Sequence, residues 1–278
     1  MRVDRALALS DQLDGLSETP KLDCELLLCH LLNKPRSYLY AWPDIELSQS
    51  QQQNYTQLLE RRVAGEPVAH LIGRQGFWTL ELEVSPDTLI PRPETELLVE
   101  WALQQFSDQP VRVADLGTGT GAIALALASE RPGWQITATE LHPGAVLLAQ
   151  RNAERLGIHN VQILAGSWCA PLSGRYELIL SNPPYIDSEH ICLTQGDVRY
   201  EPRSALVAEQ QGMADIIDII HQAPNYLVKG GWLVFEHGYD QGGAVRAQLD
   251  TAGFQQCFTQ LDLNGHERIT GGCYASER

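Results

Sequence analysis

The passage from Val111 to Ala128 restricts the fold more than any other part of the chain. Val111 to Leu116 is a short apolar run, broken by Gly117-Thr118-Gly119-Thr120-Gly121. Ala122 to Ala128 then resumes as an unbroken apolar stretch. A buried strand, a turn that glycine takes without strain, and an apolar helix must follow one another in that order. The same alternation continues downstream. Gln135 to Leu141, Val161 to Leu164, Glu177 to Ser181 and Trp232 to Glu236 read as strands. Pro143 to Leu156 reads as a helix opened by Pro and closed by Gly157, the usual asymmetry of helix ends. Met213, Ile216, Ile217, Ile220 and Leu227 mark one face of a long helix, and Val245 to Ala252 another helix. Two last strands fall near 255–261 and 267–275. Alternation of this kind predicts an α/β architecture, a mostly parallel sheet with helices on both faces.

The region before it has a different character. Asp23 to Leu32 sets Leu27, Leu28, Leu31 and Leu32 at helical spacing, with Pro20 before it and Pro35 after. Gln49 to Val63 is a second periodic stretch, ended by Gly65 and Pro67. A small helical domain is expected over residues 1–73. From Trp78 to Val84 apolar residues alternate with Thr79, Glu81 and Glu83, a period of two that reads as one strand of a hairpin. A linker is therefore expected over 74–90, and the α/β domain over 91–278. A helix is expected from Glu94 to Phe106.

Composition narrows the function. The net charge is −15, from 20 Lys and Arg against 35 Asp and Glu. That argues against a protein that holds nucleic acid through its phosphates, but suits a basic protein partner. The longest apolar run is far below the roughly 18 residues needed to span a bilayer, and the N-terminus lacks the form of a secretory signal. A cytoplasmic protein without membrane attachment is expected. Six scattered cysteines include no C-x-x-C pair, and the eight histidines do not cluster. Reduced thiols and no metal site follow.

Asp115 to Gly121 is the first candidate site. Glycines bring backbone close to a ligand, and helix N–H groups beyond them meet polar ligand atoms. About 20 residues on, Glu140 ends the next strand, where a carboxylate can accept both hydroxyls of a ribose. Two cofactors fit the loop. Gly117, Gly119 and Ala122 satisfy the dinucleotide pattern; Asp115 with Gly117, Gly119 and Gly121 satisfies the pattern of S-adenosylmethionine enzymes.

Ser181-Asn182-Pro183-Pro184-Tyr185 is the second. Two prolines cannot continue a ladder, so they fix a stiff turn at the carboxyl end of a strand that flanks the switch point of the sheet. An amide or exocyclic amine NH2 is a weak nucleophile, because its lone pair is delocalised. Two acceptors gripping both hydrogens would orient that nitrogen. The Asn182 side-chain oxygen and the Pro183 carbonyl can be those acceptors, and Tyr185 can pack on a planar amide or base. An in-line methyl donor then needs positioning more than it needs a base. A nicotinamide enzyme has no use for such a clamp, so the pair of motifs selects S-adenosyl-L-methionine.

Together these segments resemble the bacterial peptide chain release factor N5-glutamine methyltransferases. The resemblance rests on Gly65 to Gly73, Leu89 to Glu96, Asp115 to Ala128, Ser181 to Asp187 and Gln195 to Pro202. It implies a Rossmann-like S-adenosylmethionine-dependent methyltransferase domain with a seven-stranded sheet, preceded by a helical bundle that recognises the substrate and a hairpin linker. It implies methylation of the glutamine in the Gly-Gly-Gln motif of class 1 release factors, with no stable nucleic-acid binding, by an enzyme expected to be a monomer. It puts Gly117, Thr118, Gly119, Thr120 and Gly121 around the methionine part of the donor, Glu140 on the ribose and Trp168 against the adenine. Asn182, Pro183, Pro184 and Tyr185 become the glutamine clamp. The position before the aromatic is commonly Asp in the family and is Ser167 here. Arg92, Glu94 and Asp197 to Arg203 look like parts of the wall around the substrate opening, and His237 is expected to be structural.

Three other readings remain to be separated. Glutamine methylation of a ribosomal protein differs only in substrate. Methylation of an exocyclic amine in nucleic acid would need a basic path for the strand. A binding protein with a vestigial site would not need Asn182, Pro183 and Tyr185 intact.

Overall fold

The computed structural model describes residues 1–106 and 109–275. Two compact units emerge, one of Met1–Arg74 with Ile191–Tyr200, the other of Gln75–His190 with the described residues from Glu201 onward.

The helical unit comprises α1 (Val3–Leu7), α2 (Pro20–Leu32), α3 (Arg36–Ala41), α4 (Gln49–Val63) and α5 (Val68–Ile72). Pro20 occupies the first turn of α2, where its missing N–H costs nothing. Ser48 and Gln51 form a reciprocal capping box at the start of α4. Val3, Leu13, Cys24, Leu27, Leu28, Leu39, Tyr55 and Leu59 make the core. The Tyr55 hydroxyl finds the Ala6 carbonyl at 2.9 Å, so its polar tip is satisfied inside that core. α1, α3 and α5 are too short to show a period in the sequence.

Buried Arg62, near the end of α4, is the polar centre of this unit. Its Nε donates to Asp23 Oδ2 at 2.7 Å and its Nη1 to Asp197 Oδ1 at 2.7 Å. Tyr200 donates its hydroxyl to the Ala64 carbonyl at 2.7 Å. These bonds are why Ile191–Tyr200, two turns of 3-10 helix, group with the helices although the chain on either side belongs to the other unit.

The second unit opens with a two-stranded sheet, β1 (Arg74–Phe77) and β2 (Leu80–Glu83). The alternating stretch expected as one strand is thus two, turned at Trp78 in the left-handed region (φ 56°). Glu96 and Glu130 hold that turn, accepting from the Trp78 backbone and indole N–H at 2.7 Å each. Carboxylates remote in sequence therefore stabilise a turn that no Gly or Asn announces.

After α6 (Glu96–Gln105) come β3 (Arg112–Leu116), α7 (Ala122–Glu130), β4 (Gln135–Glu140), α8 (Pro143–Leu156), β5 (Val161–Ala165) and β6 (Tyr176–Ser181). The short α9 (Glu209–Gly212), α10 (Ala214–Gln222), β7 (Leu227–Glu236), α11 (Gly242–Thr251), β8 (Phe254–Leu261) and β9 (Glu267–Tyr274) complete it. The seven strands lie in the order β5-β4-β3-β6-β7-β9-β8. β3 to β7 are parallel and β9 runs antiparallel against both β7 and β8. The sheet is mostly parallel and seven-stranded, as the resemblance implied. Leu227 begins β7 instead of prolonging α10, whose apolar face ends with the helix at Gln222.

Successive strand residues face opposite layers. Val113, Leu178 and Val234 pack under α6 and α7, whereas Ala114, Ile179, Leu233 and Phe235 pack against α10 and α11. α7 is buried from Ala122 through Ala128, which is why it shows no polar face. The order reverses at β3, between β4 and β6, so a crevice opens at the carboxyl ends of β3 and β6. No helix among the described residues is long and apolar enough to cross a membrane, and no group of metal-ligating side chains forms among them.

Arg62→Met would leave Asp23 buried with only the Thr19 hydroxyl beside it at 3.1 Å. The helical unit should lose about 3 kcal/mol, read as faster hydrogen exchange in α2 and α4. Adding Asp23→Asn to this variant should recover part of the loss. Unchanged protection in the single variant would contradict the role given to Arg62.

Candidate active site

At the carboxyl end of β3 the chain leaves the sheet through Gly117 to Gly121, and its backbone groups are met from several sides. Gly117 and Thr118 donate to the Thr139 carbonyl at 2.9 and 3.0 Å. Asn152 of α8, fully buried, donates from Nδ2 to the carbonyls of Thr120 and Glu83, both at 3.0 Å. Gly117 has φ 71°, and a Cβ there would come within 2.9 Å of the Trp168 ring. Glycine is thus needed twice over, for the turn and for the aromatic beside it.

Asp115 is wholly buried beneath this loop. Its Oδ2 accepts from Thr118 Oγ1 at 2.5 Å and from the Ala124 N–H at 3.2 Å, while Oδ1 has no partner. Burial pushes its carboxyl up to about 6, against the pull of those two donors, and the Glu140 charge adds to the rise.

Glu140 closes the other side. Its Oε2 accepts from the Gly119 N–H at 3.0 Å and its Oε1 from the His142 N–H at 2.9 Å. An ionised carboxylate has about four acceptor sites, so capacity remains for hydroxyls of a ligand.

Across the crevice, Ser181 Oγ donates to the Leu116 carbonyl at 2.7 Å and ties the end of β6 to the end of β3. Asn182 follows. Its Nδ2 donates to Thr95 Oγ1 at 3.1 Å, which leaves Oδ1 as an open acceptor. The Tyr185 hydroxyl reaches Glu236 Oε1 at 3.1 Å, and Gln241 Nε2 donates to the Tyr185 carbonyl at 3.0 Å. Burial and the Glu236 charge raise the Tyr185 phenol, so it stays protonated. Gly212 passes so close that a Cβ would collide with the Tyr185 carbonyl.

A cavity of about 440 Å³ joins the two motifs. Gly117, Thr118, Gly119, Thr120, Glu140, Trp168, Asn182 and Pro184 all line it. Four of the donor-site and clamp residues expected from the sequence do not. Asp115 and Gly121 support the loop from below, Gly121 in a left-handed conformation at the start of α7. Pro183 is buried, and Tyr185 is turned toward Glu236.

Arg92 donates to both oxygens of the buried Glu201 at 2.8 Å. This pair fastens the chain before α6 to the chain that supplies Ser204 and Ala205 to the cavity wall. It belongs within the α/β unit, while Asp197 to Tyr200 belong to the helical one, so the stretch expected as one wall is divided. His237 is buried; its Nδ1–H donates to the Gly238 carbonyl at 2.8 Å and Nε2 of the neutral ring accepts from Thr270 Oγ1 at 2.7 Å. Burial lowers its pKa, so it is a neutral structural group. Thr95, Asn152, Asp215 and Glu236 were not singled out in the sequence. Asp215 also lines the cavity, and only its place in the first turn of an amphipathic helix could have flagged it.

Residues 8–73 match the family described as PrmC N-terminal domain, and residues 93–196 the methyltransferase small domain. The release factor glutamine methyltransferase of Vibrio cholerae is 54% identical over 94% of this chain and 92% of its own. Those of Escherichia coli and Pseudomonas aeruginosa are 52% and 51% identical, each over 93% of this chain and 94% of theirs. A solved methyltransferase from Pyrococcus furiosus superposes with a TM-score of 0.56 at 16% identity, covering 80% of this chain and all of that one. The hMettl16 catalytic domain in complex with MAT2A 3'UTR hairpin 1 gives 0.59 at 14% identity, over 90% and 93%. At such identity these two share the fold.

Asp115 titrates higher in the folded chain than its ordinary 3.8. The folded chain therefore takes up this proton first as pH falls through about 6, and stability from this group rises on acidification. Wild type should gain about 1 kcal/mol relative to Asp115→Asn between pH 7 and pH 5. Urea unfolding of both proteins at the two pH values measures it; a constant difference would refute the assignment.

Proposed function

The chain belongs to the release factor glutamine methyltransferases, and from that premise we propose that it carries the methyl group of S-adenosyl-L-methionine to the side-chain amide N5 of the glutamine in the Gly-Gly-Gln motif of class 1 release factors. One observation supports this above the rest. The Asn182 amide borders the cavity with its NH2 engaged by Thr95 at 3.1 Å, so its oxygen is presented as an acceptor. A substrate that offers two N–H groups on one nitrogen suits such a site.

The residues around the loop fit the donor. Glu140 is an acceptor for ribose hydroxyls, Trp168 offers an aromatic face, and the glycines leave room for a ligand against the backbone. When bound, the donor supplies an electrophilic methyl group on a sulfonium. Asn182 Oδ1 and the Pro183 carbonyl then accept the two amide hydrogens and turn the nitrogen lone pair toward that methyl. One N–C bond forms as one S–C bond breaks, and the nitrogen gives up a proton to water. Alkylation makes that proton acidic, so no strong base is required. Orientation and fixed dipoles supply most of the acceleration. Tyr185 backs the clamp and keeps its angle.

The helical unit is the part proposed to recognise the release factor. A chain of net charge −15 is suited to a partner that is itself built to meet ribosomal RNA. The reaction belongs in the cytoplasm, with translation.

Incubation with donor and an unmodified class 1 release factor should add a single 14 Da increment, localised by peptide mass spectrometry to the Gly-Gly-Gln glutamine. A Gln→Ala release factor should gain nothing. Asn182→Ala should cut turnover by about 100-fold or more while donor affinity, measured by calorimetry, stays within about 3-fold. Methyl transfer to a ribosomal protein or an RNA, with none to the release factor, would overturn the substrate assignment.

A further inference from the structure

Glu236 ends β7 and is buried to 1% exposure. No cation pairs with it directly among the described residues. Its Oε1 accepts from the Tyr185 hydroxyl at 3.1 Å, and its Oε2 has no hydrogen-bond partner. The Thr95 hydroxyl lies beside the same carboxylate, where it favours the charged form. A buried carboxylate with one oxygen bonded to a hydroxyl and the other without a hydrogen bond is costly, and core packing gives no reason for it.

The direction of the hydrogen bonds supplies a reason. A hydroxyl carries one proton. Thr95 Oγ1 accepts from Asn182 Nδ2 at 3.1 Å, so its own proton is free to point elsewhere. An ionised carboxylate can only accept, and Glu236 is the acceptor beside it. With the Thr95 proton drawn to Glu236, the Thr95 lone pair faces Asn182 and can take only the NH2 side of that amide. Without it, Thr95 can donate to Asn182 instead, and the amide can turn over and present NH2 to the cavity. An NH2 there would repel the substrate amide it is meant to grip.

We propose that Glu236 is a positioning residue that sets the polarity of a chain running from Glu236 through Thr95 to Asn182, and so keeps the Asn182 oxygen toward the substrate nitrogen. This rests on the methyl-transfer reading above. The same carboxylate accepts the Tyr185 hydroxyl's hydrogen bond, so one charge orders both polar side chains of the clamp. Glu236 must be ionised to do this. Burial raises its pKa, Thr95 and Tyr185 lower it, Arg268 of β9 lowers it and Glu94 raises it. The adjoining His237 is neutral. Because the net shift is upward, turnover should fall on the acid side as Glu236 takes a proton and becomes able to donate to Thr95.

The test uses Glu236→Gln, Thr95→Val and Thr95→Ser in the full chain, with the release factor as substrate. The first two should lower kcat by about 10-fold to 100-fold, with donor affinity and KM each within about 3-fold of wild type. Thr95→Ser, which keeps the hydroxyl, should restore kcat. The acid limb of the kcat profile should disappear in Glu236→Gln. A second readout needs no turnover. The Asn182 side-chain NH2 signals, assigned by their loss in Asn182→Asp, should exchange slowly with water in wild type and Thr95→Ser, and faster in the other two. Thr95→Val carries the test if Glu236→Gln melts early. Wild-type kcat and unchanged Asn182 exchange in a folded Thr95→Val would overturn the proposal. An inactive wild type with the expected exchange pattern would count against the substrate assignment and leave the polar chain supported.

Discussion

Parallel strands that stop at a crevice leave backbone groups without a ladder, and the rest of this site depends on how those groups are met. Four ends converge where β3 meets its neighbours. The loop amides of Gly117 and Thr118 go to the Thr139 carbonyl, the Leu116 carbonyl takes the Ser181 hydroxyl, and the Thr120 carbonyl takes the Asn152 amide. Gly119 turns its N–H to Glu140. These partners are polar side chains or backbone groups drawn from three elements, β4, β6 and α8. The glycine loop is thereby held open from below and from the sides, and its upper surface is left to a ligand.

Buried carboxylates recur in this arrangement. Asp115 sits under the loop, Glu236 behind the clamp and Glu201 behind the cavity wall. Only Glu201 has a guanidinium within bonding distance, at 2.8 Å from Arg92. The other two are held by hydroxyls and backbone N–H groups. A carboxylate is an acceptor in every direction, so it decides which way its neighbours point. That property orients hydroxyls and amides that could otherwise turn over, and it explains why acids occur where an apolar side chain would pack at less cost.

The elements that were legible in the sequence are those set by local backbone demands. The glycine loop, the proline-bounded turn at Asn182 to Tyr185, the Gly65 and Pro67 stop after α4 and the strands of the sheet each show their cause within a few residues. What stayed hidden is brought together by distant parts. Trp78 reads as a strand residue and turns only because Glu96 and Glu130 bind it. Ile191–Tyr200 reads as part of the α/β domain and instead groups with the helices, where Asp197 meets Arg62. Leu227 has the spacing of a helix and the surroundings of a strand. Thr95 sits in the Leu89 to Glu96 segment and Glu236 at the end of a strand without marking a role there; their meaning lies in Asn182, which neither neighbours in sequence.

The chemistry then explains the expenditure on orientation. The histidine that follows β7, His237, is buried, neutral and turned to Thr270, and the proposed transfer asks for no strong base. The polar groups around Asn182 and Tyr185 instead restrict rotation. Asn182 is fixed by Thr95, Tyr185 by Glu236 and Gln241, and the chain beyond them by the Ile186 and Leu206 to Ala208 backbone pairing. A weak nitrogen nucleophile gains from a fixed pair of acceptors because the barrier lies in orienting its lone pair. Rigidity at the carboxyl end of β6 is therefore the catalytic investment of the fold, and the buried acids behind it are what make that rigidity directional.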